Sequence, residues 1–223
     1  QLAPRLQGGA LVAAAPPERI RNGTVHYPFR QDSNLYYLTG FEEPGSIFVF
    51  RPGMTPETVL FVQKKNPERE TWDGFRYGPT AAQTEFRMDK TYPIEEFPSV
   101  LPQLLKGVDQ LCYRYCKNPG VDAQIDQALQ DVRLSQGRTG FGLLTVCDAD
   151  EMIGELRLKK GDADLLNMRR ACELTAEAHV ETMKYVKPGM SEREIHGFFV
   201  YQIMKRGAAR EGYGSIVAGG YNA

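Results

Sequence analysis

The sequence predicts an α/β protein, and three observations carry that expectation. Between residue 8 and about residue 145, short apolar runs alternate with amphipathic stretches, the pattern of a sheet covered by helices. From residue 162 the pattern changes to long helical periodicity. Finally, 42% hydrophobic and 25% charged residues in a chain of 223, with a net charge of −1, describe one or two soluble domains with a sizeable core. That charge balance lacks the basic excess that binding to a phosphate backbone requires, so nucleic acid is not an expected partner.

Taken in order, Leu2–Leu6 reads as the tail of a helix. The apolar run Gly8–Ala15 is too short to span a bilayer and meets Pro16-Pro17, so it predicts a buried strand at Ala10–Ala14 and no membrane partner. A secretory signal fits poorly, with Arg5 the single upstream base and a proline directly after the small-residue pattern. Ser46–Arg51, Thr58–Gln63 and Gln110–Tyr115 are further strands, rich in Val, Leu, Ile, Phe and Tyr and bounded by Gly or Pro. Ala81–Phe86, Phe97–Lys106 and Val121–Leu134 have helical spacing, the last through Val121, Ile125, Leu129 and Val132.

The segment Ala149–Lys160 reads as a domain connection, helical in its first half. Asp162–Val186 predicts one long helix with Leu165, Met168, Cys172, Thr175, His179, Met183 and Val186 along one face. Lys187-Pro188-Gly189 ends it. Ser191 and Glu194 then form a capping box, opening a helix to about Arg206 with Ile195, Phe198, Phe199 and Ile203 inward. Gly212–Ala223 reads as a strand and a Gly-rich turn whose unpaired edge implies further chain or a partner strand. The expected domains are residues 1–150 and 151–223.

Cys112, Cys116, Cys147 and Cys172 form neither a CxxC pair nor a secreted scaffold pattern. Cys112 and Cys116, if both in a strand, lie about 13 Å apart and cannot share one ion. Free buried thiols in a reducing, cytoplasmic compartment are expected. Of three histidines, His179 lies on an apolar helix face and reads as a core residue, His196 follows Ile195 in the capped helix and reads as no metal site, and His26 has aromatic neighbours. Asp148, Asp150 and Glu151 offer a spacing that hard cations use, but before Met152 and Ile153 they read as a helix-capping group. No Gly-x-Ser-x-Gly elbow, P-loop or GxGxxG follows a strand.

One stretch remains. His26-Tyr27-Pro28-Phe29-Arg30-Gln31-Asp32-Ser33-Asn34-Leu35-Tyr36-Tyr37-Leu38-Thr39-Gly40-Phe41, taken as loop and strand, crowds rings around a polar centre and is followed by Glu43-Pro44-Gly45. It resembles the N-terminal domain signature of aminopeptidase P, a metallopeptidase family of the creatinase/prolidase, or pita-bread, superfamily. Glu70-Thr71-Trp72-Asp73-Gly74-Phe75-Arg76-Tyr77-Gly78 is similar to that family's Trp-x-Gly-x-Arg-x-Gly stretch. Glu155–Lys160, Arg169-Arg170-Ala171, Lys187–Glu192, Gly207-Ala208 and Tyr213–Gly219 follow its catalytic-domain entry in order and spacing.

The resemblance implies a creatinase-like N-terminal domain with a mixed sheet flanked by helices over residues 1–150, then the first helices and strand of an α+β pita-bread catalytic domain over 151–223. It implies release of the N-terminal residue from peptides with proline second, by a hydroxide bridging two divalent metal ions, manganese in this family, that also polarise the scissile carbonyl. All metal ligands are expected beyond residue 223, leaving no catalytic or metal-binding residue in this chain. Tyr213 and Trp72 are the substrate-binding residues it assigns here, with the Ile216-Val217 strand beside Tyr213. Trp72 also fits a core-edge anchor. A homo-oligomer, dimer or tetramer, is implied, with Tyr27, Phe29, Tyr36, Tyr37 and Phe41 anchoring a turn against a neighbouring subunit and Arg30, Asp32 and Asn34 bonding to its backbone. The family often has Asn-Ser-Asp where this chain has Asp32-Ser33-Asn34. A prolidase cleaving Xaa-Pro dipeptides and a non-catalytic peptide-binding protein remain alternatives.

Overall fold

The computed structural model describes residues 2–6, 8–137 and 145–223. In chain order its elements are β1 (Gly9–Ala14), β2 (Ile20–Asn22), β3 (Val25–His26), α1 (Ser33–Thr39), β4 (Ile47–Phe50), β5 (Thr58–Val62), α2 (Pro67–Asp73), α3 (Gly78–Glu85), β6 (Lys90–Pro93), α4 (Phe97–Leu104), β7 (Gln110–Tyr113), α5 (Pro119–Ser135), β8 (Thr145–Cys147), α6 (Ala149–Leu158), α7 (Asp162–Tyr185) and α8 (Glu192–Lys205). A turn of 3₁₀ helix at Ala3–Leu6 precedes β1. The elements divide into two compact units, Gln1–Leu158 and Lys159–Ala223.

In the first unit six strands form one sheet in the order β6-β5-β4-β1-β7-β8. The apolar run at the N-terminus is its interior strand β1, antiparallel to β4 and parallel to β7. The sheet is mixed, because β4–β5 is antiparallel while β5–β6 and β7–β8 are parallel. Side chains alternate across the pleat. Ala10, Val12, Val49 and Phe61 join Phe97, Leu101, Ile125 and Leu129 of α4 and α5 on one face. Leu11, Phe48, Leu60 and Cys112 join Leu35, Phe41, Ala82 and Ile153, from α1, α3, α6 and the α1–β4 loop, on the other. At one margin, β6 runs from exposed Lys90 to Pro93.

The aromatic stretch departs from the expected loop and strand, because Asp32 starts a helix. Its carboxylate accepts from the backbone N–H groups of Asn34 at 2.8 Å and Leu35 at 3.1 Å. Gly40, at φ 71°, ends the helix by donating to the Tyr36 carbonyl. These caps outweigh the β preference of Tyr36-Tyr37. Leu35 and Phe41 are buried, while Tyr27, Tyr36 and Tyr37 stay exposed.

Other expectations are corrected. The strand predicted to Tyr115 ends at Tyr113, and α6 is helical throughout Ala149–Leu158 instead of only in its first half. The cysteines are not four buried free thiols: Cys112 and Cys147, opposite one another in the β7–β8 ladder, form a disulfide. Cys116 and Cys172 are free but exposed. Strand pairing across 35 residues makes the bond, a closeness no linear spacing reveals.

In the second unit α7 and α8 pack together. Tyr185 stacks on Phe198 at 3.9 Å between ring centroids, and Ser191 and Glu194 form the expected capping box. The inward face of α7 differs from the periodicity: Ala178 and Thr182 are buried, whereas Leu165, Met168, Cys172 and Met183 are exposed. The α8 rings Phe198 and Phe199 instead meet Tyr185 and His179. Gly212–Ala223 forms no strand but an irregular segment ending in a 3₁₀ turn at Gly220–Asn222. No neighbouring strand among the described residues offers it a ladder.

Candidate functional site

Trp72 sits on a short, exposed helix that the sequence builds with care. Asn66 caps α2 by accepting from the N–H groups of Glu68 and Arg69, and Pro67 opens the first turn. Gly74, at φ 82°, lets the chain leave and donates to the Glu70 carbonyl. No α2 residue is buried, and Trp72 is 88% exposed. The core-edge anchor is therefore excluded in this chain: an indole costly to leave in water stands clear of the domain.

A stack of rings fixes the root of this projection. Phe75 meets Tyr77 edge-on at 5.0 Å, Tyr77 meets Phe86 at 5.1 Å, and Phe86 meets buried Phe41 at 5.0 Å. Lys65 lies 4.6 Å from the Phe75 ring centre, a cation–π contact. Gly78, at φ 67°, would bring a Cβ to 3.1 Å from that of Lys65. The glycine permits the close passage.

Glu43 joins the Glu43-Pro44-Gly45 turn to the Glu70–Gly78 stretch. Its Oε1 accepts from the Tyr77 N–H at 2.8 Å, while Oε2, also buried, has no hydrogen-bond partner. Burial raises the Glu43 pKa above the ordinary carboxylate value, against the Tyr77 bond and the charge of Arg76.

The polar centre of the aromatic stretch serves a second site on the same unit. Asn34 donates to Asp150 Oδ1 at 2.7 Å and accepts from Arg157 at 2.6 Å. Lys117 pairs with Asp32 at 3.2 Å and Asp150 at 3.1 Å, and Arg114 pairs with Asp148 at 2.8 Å. Burial works against the Lys117 charge, but Asp150 and Asp32 prevail and raise its pKa. Asp148 accepts from the Asp150 N–H at 2.8 Å, so it caps α6 as its sequence position suggests. The adjoining cleft holds about 20 Å³, room for about one water. This seam ties α1 to α6 and offers no substrate pocket. Of the three polar residues expected to bond to the turn's backbone, Arg30 and Asp32 do so, whereas Asn34 bonds to side chains.

Tyr213 belongs to the second unit, where it is 80% exposed. Two carboxylates fasten its segment. Glu192 accepts from the Gly219 N–H at 2.9 Å and from Asn222 at 2.8 Å. Glu211 accepts from the Ser215 hydroxyl and lies 3.1 Å from His196 Nε2. His196 is therefore not idle, and His179, expected in a core, is exposed with its ring 4.7 Å from that of Phe199. Sequence reading missed Glu43, Glu192 and Glu211, since a carboxylate gripping a distant backbone leaves no periodic signal. Among the described residues no group of three or more His, Cys, Asp or Glu is arranged to hold a metal ion.

These features define a two-part protein, an N-terminal mixed-sheet domain and a helical start to a second domain, and comparison with known proteins identifies both parts. Residues 1–113 match the family described as aminopeptidase P, N-terminal domain, and residues 166–223 match metallopeptidase family M24. The chain belongs to the aminopeptidase P family of pita-bread metallopeptidases.

It is 32% identical over 215 residues to Xaa-Pro aminopeptidase of Haemophilus influenzae, covering 96% of this chain and 47% of that protein. It is 33% identical over 215 residues to mouse Xaa-Pro aminopeptidase 3, covering 94% and 42%. Among solved structures it superposes on Pseudomonas aeruginosa aminopeptidase PepP with a TM-score of 0.92 and 34% identity, over 99% of this chain and 50% of that one. A zinc-substituted Escherichia coli aminopeptidase P in complex with product gives a TM-score of 0.85 at 30% identity, over 93% and 48%. The chain thus spans about half the length of the relatives it matches.

Proposed function

We propose that this chain is the N-terminal portion of a metallo-aminopeptidase that releases the first residue from peptides with proline in the second position. The observation that carries the reading is the continuous similarity to Xaa-Pro aminopeptidases along 96% of the chain. The N-terminal domain, expected over residues 1–150, takes in α6 as well, since the first compact unit runs to Leu158, and the remainder to 223 serves as the entry to the catalytic domain. Two divalent ions, manganese in the working enzyme, supply the metal chemistry. The M24 match and the zinc-substituted relative support a divalent metal.

The described residues do not fit the metal pair. Asp148 and Asp150, the nearest to a site, are already neutralised by Arg114 and Lys117. In this reading the ligands lie in the half of the relatives' length that this chain does not cover. What this chain contributes is shape: Trp72 and Tyr213, exposed and aromatic, bind the peptide, and the N-terminal domain assembles the homo-oligomer. The enzyme acts in the cytoplasm. Among the described residues no helix is long and apolar enough to cross a membrane.

The test is an assay of the full-length, manganese-loaded enzyme. It is expected to release the first residue from Xaa-Pro-Xaa tripeptides and to leave Ala-Ala-Ala intact. Cleavage confined to Xaa-Pro dipeptides would replace the reading with a prolidase, and peptide binding without cleavage would replace it with a binding protein.

A further inference from the structure

The segment that carries Tyr213 is held in an unusual way. Gly212, Gly214, Gly219 and Gly220 make it rich in the residue that loses most conformational freedom on ordering. It has no strand ladder to offset that loss, so its course depends on side chains reaching in from α8 and its flank. Two such anchors are Glu192 and Glu211. Glu192, in the first turn of α8, receives the Gly219 N–H and the Asn222 amide. Glu211, just ahead of Tyr213, receives the Ser215 hydroxyl, so its carboxylate spans the tyrosine from both sides in sequence.

Glu211 is itself held. The Ser215 bond first, then the His196 contact, keep its carboxyl below the usual carboxylate range. An ionised carboxylate only accepts, so His196 Nε2 carries the proton in the 3.1 Å contact. His196 lies on α8, whose inner face packs on α7. The carboxylate therefore connects a rigid helix to a loop that glycine would otherwise leave free.

We propose that Glu211, held by His196, is a positioning residue that sets the Tyr213–Ile216 segment in the course it needs to receive the substrate. The proposal rests on the aminopeptidase reading for its substrate and on the hydrogen bonds for its mechanism. In this role Glu211 acts through Ser215 and the backbone between. Its effect belongs to substrate capture more than to the chemical step.

The experiment compares full-length wild type, Glu211→Ala, Glu211→Gln and His196→Ala. Glu211→Ala is expected to raise KM for an Xaa-Pro-Xaa tripeptide about five- to tenfold with kcat changed less than threefold, and His196→Ala to follow it part of the way. Glu211→Gln keeps an oxygen that accepts from Ser215 and His196, so it is expected to restore KM to within twofold of wild type. Hydrogen–deuterium exchange of residues 212–219 is expected to speed up at least tenfold in Glu211→Ala. Unchanged KM in an active Glu211→Ala enzyme overturns the positioning role and leaves the aminopeptidase reading standing. If wild type has no Xaa-Pro activity, that reading fails instead, and the exchange data decide separately: protection equal to wild type in Glu211→Ala overturns the latch.

Discussion

Asn34 and Asp150, 116 residues apart in sequence, share a 2.7 Å hydrogen bond that fastens α1 to the start of α6. Asn34 is 9% exposed and also receives Arg157 at 2.6 Å, so its removal leaves both a carboxylate and a guanidinium short of a partner. Asn34→Ala is expected to cost about 1–3 kcal/mol. Urea unfolding measures it, and a midpoint equal to wild type would refute the seam as a stabilising contact. Asn34→Ala combined with Asp150→Ala should cost less than the sum of the two, since both remove the same bond.

Glu43 predicts a pH dependence. Its folded pKa is raised by burial above the 4.5 of an ordinary glutamate. Ionisation therefore favours the unfolded chain: the full contribution of the protonated group is present below about pH 4.5 and is lost as pH rises through the folded pKa. Glu43→Gln stays neutral and keeps an acceptor for the Tyr77 N–H. Its Tm relative to wild type should be higher at pH 7 than at pH 4, and a difference that shrinks toward pH 7 contradicts the sign.

Trp72 separates binding from folding. Because the ring is 88% exposed, Trp72→Ala should leave the melting temperature within about 2 °C of wild type. In the full-length protein, under the proposed aminopeptidase reading, the same change is expected to cost about 1–3 kcal/mol of transition-state stabilisation for Xaa-Pro peptides. A variant that melts several degrees lower yet keeps wild-type kcat/KM would retire the substrate role.

The cysteines predict a thiol count. Under denaturing, non-reducing conditions two thiols, Cys116 and Cys172, should titrate, and four after reduction. Four at the outset would show the β7–β8 pair reduced, the state a reducing cytoplasm favours. Where the bond is formed, Cys147→Ser opens a 35-residue link and is expected to cost about 2–4 kcal/mol.

How far the chain could be read from its residues depended on the range of the interaction concerned. The strand at Ala10–Ala14 and the helix from Val121 were legible because alternation and helical spacing are written in consecutive residues. The Ser191–Glu194 box was legible for the same reason. Asp32 was misread although its cap is local, because the neighbouring tyrosines gave a competing strand signal. Cys112–Cys147, Asn34–Asp150 and Glu43–Tyr77 were not legible, since each arises only when distant elements pack. Trp72 and Tyr213 came from resemblance alone, since an exposed ring leaves no periodic signal.

The β6 margin of the sheet has a bearing on assembly. A neighbouring copy that tried to continue the sheet there would find no amide proton at Pro93 and a solvated ammonium at Lys90 to displace. Main-chain zippering between copies is disfavoured on that side. Contacts between copies formed on that side would be bonded through side chains instead. Their stability will consequently respond to point substitutions in a way that a backbone-to-backbone junction would not.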